Sequence, residues 1–155
     1  MRKNLGFAVA FAICVLAAST IVGVRRFPVV HAQSKECDLA SLTGAYGYTL
    51  SGSVYDNQYN VYLIGAAGRV VSDGNGNLAG ADTFSFDGNI AKRQYTGTYT
   101  ITAECTGTMT LGPLGGSSTA PLHADFVAVN NVKELNLVQT DAAFILTGVM
   151  KQQNQ

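Results

Sequence analysis

"RQYTGTYTITAECTGTMTL", residues 93–111, reads as two runs of alternating residues broken by a cysteine. In the first run Tyr95, Gly97, Tyr99 and Ile101 fall on one side and Thr96, Thr98, Thr100 and Thr102 on the other. Side chains alternate across a strand, so the spacing predicts a hairpin with a solvated threonine face and tyrosines turned inward. The same punctuation continues in both directions. Runs rich in Val, Ile, Thr, Tyr and Phe are separated by "YDNQYN", "DGNGN", "DGN", "AECT", "GPLGGSSTAP", "NNVK" and "TDA". Eight strands are predicted, over 44–54, 61–72, 78–86, 91–102, 107–111, 122–129, 134–139 and 143–151. No sustained helical periodicity follows Cys37, and connections this short pair neighbouring strands in sequence order. The predicted fold class is all-β: an eight-stranded antiparallel up-and-down β-barrel.

The first 32 residues read differently. Arg2 and Lys3 precede the apolar run "LGFAVAFAICVLAASTIVGV", and "VVHA" places Val30 and Ala32 at the small-residue positions of a signal-peptidase site. The expectation is a secretory signal over 1–32 and a single β-barrel domain over 33–155, exported to a periplasmic or extracellular space. The apolar run, about 20 residues, is also long enough to span a bilayer. Uncleaved, it would anchor the domain, and that is the one membrane contact expected. Of 10 basic and 10 acidic residues, Arg2, Lys3, Arg25 and Arg26 lie in this leader, leaving 6 against 10 and a net charge near −4. A mildly acidic domain without a basic stripe is a poor partner for nucleic acid.

Cys37 and Cys105 remain beyond the leader, and an even pair in an exported chain predicts a disulfide. Zinc needs four ligands, whereas His123 is the one histidine left and no C-x-x-C is present, so no metal is expected. "DGNGNLAGADTF" spaces Asp73, Asn75 and Asn77 like a calcium loop, but Leu78 and Phe84 occupy its glycine and glutamate positions. A hairpin turn is the reading there. His123 and Asp125 share one strand face and read as a hydrogen-bonded rim pair.

Two short-turn dipeptides set a further expectation. A two-residue turn at Asn75-Gly76 places Arg69 opposite Asp82, and one at Asp87-Gly88 places Asp82 opposite Arg93. One carboxylate between two guanidinium groups, beside Phe84 and Tyr95, would be either a structural ion-pair ladder or a polar anchor for a substrate group. The candidate ligand lining is Tyr46, Tyr48, Phe84, Tyr95, Tyr99, Phe126 and Phe144, with Gly80, Gly97 and Gly148 leaving room beside them. Two functions compete on these residues. One is a barrel that binds a small apolar molecule in its lumen. The other is a filled, non-catalytic envelope or surface interaction module. An outer stripe of Val127, Val129, Ile145 and Val149 would suit a homo-oligomer.

The stretch "RVVSDGNGNLAGADTFSFDGNI" followed by "RQYTGTYTITAECTGTMTL" resembles a pattern of small exported bacterial proteins, barrels akin to allene oxide cyclase and the dirigent proteins. The resemblance covers about 40 residues and rests on turn chemistry. It implies an eight-stranded barrel, often dimeric or trimeric, with a largely apolar cavity and no cofactor. Such proteins steer cyclisations or couplings by holding a flexible substrate in shape. If this chain is an enzyme, the resemblance implies a cofactor-free cyclase or isomerase. No catalytic residue of that superfamily maps onto a position here.

Overall fold

A computed structural model of the protein describes residues 36–112 and 121–154; the leader lies outside them. A single 3-10 turn, Leu39–Leu42, precedes eight strands. They are β1 (Gly44–Tyr55), β2 (Val61–Ser72), β3 (Asn77–Phe86), β4 (Asn89–Ile101), β5 (Thr106–Leu111), β6 (Leu122–Val129), β7 (Glu134–Gln139) and β8 (Phe144–Gln152). Each pairs antiparallel with the next, and β8 returns to β1 with Tyr48 opposite Met150, closing the barrel. The eight predicted strands and their meander order are those observed. Closure removes the unpaired edges that an open sheet of this length would expose.

Turn chemistry sets the register, and two turns decide where the charges go. At Asp87-Gly88 both residues have positive φ, 47° and 84°, the geometry of a type I′ hairpin. Phe86 therefore pairs with Asn89 and Asp82 with Arg93, as predicted. The turn between β2 and β3 is one residue longer than expected. Asp73 donates its backbone N–H to Asn77, with Gly74, Asn75 and Gly76 between them. The Asp73 carboxylate accepts from the Asn75 N–H at 2.7 Å, the Asn77 N–H at 3.0 Å and the Asn77 side-chain amide at 2.7 Å. Those bonds favour the three-residue loop over the two-residue alternative offered by Asn75-Gly76. Gly68 consequently faces Asp82, and Arg69 faces Ala81. A shift of one residue turns a side chain to the other face. Arg69 is thus not part of the lumen cluster; it lies outside, donating to Gln153 at 2.9 Å.

The faces follow from alternation. Thr96, Thr98, Thr100 and Thr102 are exposed, and Thr100 and Thr102 share hydroxyl hydrogen bonds with Thr108 and Thr106 on β5. Tyr46, Tyr48, Tyr95 and Tyr99 are buried inside. The lumen glycines do not leave open space, contrary to expectation. Gly80 lies opposite Tyr95, Gly97 opposite Leu111, Gly107 opposite Phe126 and Gly148 opposite Leu50. A Cβ on these glycines would stand 2.6 Å from the Tyr95 hydroxyl, 2.8 Å from Leu111, 2.4 Å from Phe126 and 2.3 Å from Leu50. Each glycine is the bed on which a large partner folds across the lumen. Among the described residues, two voids of about 20 Å³ each lie between these side chains.

One end of the barrel is plugged. Asp38 caps the 3-10 turn by accepting from the Ser41 N–H at 2.9 Å. Leu42 enters the core, and the Tyr99 hydroxyl donates to the Leu39 carbonyl at 2.7 Å. Cys37 is disulfide-bonded to Cys105 in the β4–β5 connection, with Cα atoms 5.1 Å apart and a sequence separation of 68. Closing a loop of that length stabilises by about 4 kcal/mol in the chain-entropy model.

Candidate functional site

Among the described residues Asp82 is the buried charged group, its side chain only 1% exposed. Arg93 meets it from the neighbouring strand, its Nε donating to Oδ1 at 2.9 Å and its Nη2 to Oδ2 at 2.5 Å. Paired, charge-assisted bonds of this kind are what allow a carboxylate to be buried. The Tyr48 hydroxyl donates to Oδ2 at 2.8 Å, and Tyr95 donates to Tyr48 at 2.8 Å. The guanidinium also lies 3.9 Å from the centre of the Phe84 ring, a cation–π contact. Burial raises Tyr95 to about 12, although its bond to Tyr48 pulls the other way. Burial, and then its bonds to Tyr95 and Asp82, push Tyr48 higher still. Burial, with the Tyr99 hydroxyl nearby, raises Tyr46 to about 12. These phenols stay protonated at neutral pH and donate. Both Asp82 oxygens already accept hydrogen bonds, so the cluster holds its charge in place rather than offering a base.

The remaining candidates divide between core and rim. Tyr46, Tyr99 and Phe126 belong to the buried cluster with Met109, Leu111 and Met150. Phe84 is half-buried beside Arg93. Phe144 pairs with Val54 at the end away from the plug and is 37% exposed. Asp82 and Arg93 of the predicted charge cluster come together; Arg69 does not join them.

A second polar constellation was missed in the sequence. The Asp141 carboxylate accepts from the His123 N–H at 2.8 Å, lies 2.7 Å from His123 Nδ1, and accepts from the Gln139 amide at 2.8 Å. His123 thus pairs with Asp141 rather than with Asp125. Burial raises Asp141, but the bonds from His123 and Gln139 together hold it below the ordinary carboxylate value. The other atom of the Gln139 amide, Oε1, is buried and has no hydrogen-bond partner, alone in this among the side chains of the described residues. Gln139 lines one of the two voids, together with Tyr48, Leu50, Leu122, Ala124 and Leu146. Met109 and Met150 line both voids and form the partition between them. The sequence signal was faint: "TDA" reads as a turn, and only the β6–β7 register brings its Asp to His123. Among the described residues, no group of three or more His, Cys, Asp or Glu is placed to hold a metal.

No family model and no curated protein matches the chain. Among solved structures, a de novo design of a fluorescence-activating beta barrel is similar over 76% of this chain and 99% of its own. The two share 9% identity and superpose with a TM-score of 0.52. The structure of EF1p2_mFAP2b bound to DFHBI covers 77% of this chain and 100% of its own, at 10% identity and a TM-score of 0.48. At such identity the first likeness shows the small closed β-barrel and nothing about residues.

Proposed function

We propose that the chain is a small-molecule-binding barrel whose ligand occupies the half of the lumen away from the plug. The observation that carries this reading is the buried void beside Gln139, with hydrocarbon walls and an unpartnered acceptor at its edge. Its floor is Met109 and Met150, unbranched side chains that repack at low cost. Moving them joins the two voids, so the site enlarges on binding. The leader and the disulfide support an exported protein, periplasmic or extracellular. The allene oxide cyclase and dirigent-like resemblance supports the finer reading, in which a held substrate is steered without a cofactor.

The runner-up is the filled interaction module. It is favoured by the glycine-bedded packing of the lumen and by the exposure of Val61, Leu63, Ile90 and Ile145 on the outer face. Two substitutions separate the readings. Met109→Ala enlarges the lumen and should strengthen binding of an apolar fluorescent probe such as 1-anilinonaphthalene-8-sulfonate's uncharged parent, N-phenyl-1-naphthylamine. Ala124→Ile fills the void and should abolish it. A probe signal that ignores both substitutions belongs to the outer surface, and the module reading replaces this one.

A further inference from the structure

We infer that Gln139 Oε1 accepts the single hydrogen bond by which the ligand is oriented, so that the barrel selects neutral molecules with an apolar body and one hydroxyl or N–H donor. This deepens the lumen-binding reading and rests on it. The direction of the amide is fixed by its neighbours. Asp141 as a carboxylate can only accept, and it is held by the His123 N–H at 2.8 Å. The Gln139 nitrogen must therefore point at Asp141, which it meets at 2.8 Å. That leaves the oxygen facing inward: Gln139 lies opposite Ala124, a lumen residue, and both line the void.

An unpaired buried acceptor is costly, and a site built around one discriminates strongly between ligands that do and do not satisfy it. A lone water suits the place poorly. Buried waters make about two to four hydrogen bonds. Apart from Gln139, the one polar group in this wall is Tyr48, whose hydroxyl already donates to Asp82 and accepts from Tyr95. The charge of the ligand follows from the same geometry. An anion would face an acceptor oxygen with the Asp141 carboxylate just beyond it, and a cation would lose its hydration among leucines. A neutral donor on a hydrocarbon body fits both the oxygen and the walls.

The test compares phenol with toluene, similar in size and differing in the donor. Both are titrated into the protein while the methyl signals of Met109 and Met150, which border the void, are followed by NMR. Both compounds should shift these methyls, and Gln139→Leu should lower the phenol-to-toluene affinity ratio by about tenfold. Gln139→Met serves as a second variant of similar volume if the leucine variant folds poorly. If both compounds bind but the ratio is unmoved, the role of Gln139 is overturned while the lumen remains a binding site. If neither shifts the methyls in the wild-type protein, the lumen reading itself falls, and this inference with it.

Discussion

Arg93 is the residue on which the interior charge balance turns. It supplies two of the hydrogen bonds to a carboxylate that is nearly inaccessible to water, and it rests on Phe84. Replacing it by methionine keeps the apolar stem and leaves Asp82 with Tyr48 alone. Breaking a buried pair in this way costs roughly 3–5 kcal/mol, because an uncompensated charge remains. Arg93→Met should therefore lower the melting temperature markedly. Arg93→Lys should recover little, since an ammonium cannot reproduce the two-pronged contact. A thermal melt of Arg93→Met matching wild type would mean that water reaches the pair and the charge is not buried. Asp82 opposite Arg93 was legible in the sequence because the Asp-Gly dipeptide allows one short turn. Arg69 was misplaced because Asn75-Gly76 offers a similar turn that Asp73 overrides with its own carboxylate. Gln139 was not legible at all, as its surroundings arise from a partner two positions on and a void lined by four other strands.

At the scale of strands, four glycines around the barrel, Gly80, Gly97, Gly107 and Gly148, lie under the side chain of a large cross-strand partner. A small eight-stranded barrel has an interior that side chains can just fill. Glycine lets the partner side chain lie across the wall, where it covers more of the lumen than an upright rotamer does. The pairing of Gly80 with Tyr95 followed from the correctly read Asp87-Gly88 turn. The error was in treating the missing side chain as vacant space, whereas close packing draws the neighbour into it. This has a measurable consequence. Gly80→Ala would bring a methyl group within 2.6 Å of the Tyr95 hydroxyl and 2.7 Å of the Arg69 carbonyl. Overpacking of this kind costs about 1–3 kcal/mol. Part of that loss comes from displacing Tyr95 from Tyr48, so Tyr95→Phe, which has already lost that bond, should suffer less from the same change. The expected coupling in a double-mutant cycle is about 0.5 kcal/mol or more. Strict additivity would show that Tyr95 does not move when the methyl group is added, and that the glycine is needed for the Arg69 backbone alone.

The barrel is held by closure, by the plug and by a core that buries four phenols beside Asp82 and Ser72. Loss of the Cys37–Cys105 disulfide should cost about 2–5 kcal/mol while leaving the β-sheet circular dichroism intact, since the cystine ties down the plug rather than a strand. The phenols make the fold sensitive at the other end of the pH scale. Tyr46 and Tyr95 are raised to about 12 in the folded barrel, mainly by burial. In the unfolded chain they return to the ordinary value of about 10. A group whose folded pKa is raised contributes stability that is fully present below the unfolded value, and that contribution is lost as pH climbs toward the folded one. Denaturant midpoints should accordingly hold level up to about pH 10 and fall steeply between about pH 10 and 12. Tyr48, pushed higher still, adds to the same fall because unfolding releases its proton as well. Phenolate absorbance read alongside the unfolding signal provides the check. Tyr46, Tyr48 and Tyr95 should ionise together with loss of structure, in one cooperative step. Smooth ionisation of Tyr46, Tyr48 and Tyr95 near pH 10 with the barrel still folded would show that water enters the lumen freely, and the closed interior would have to be abandoned.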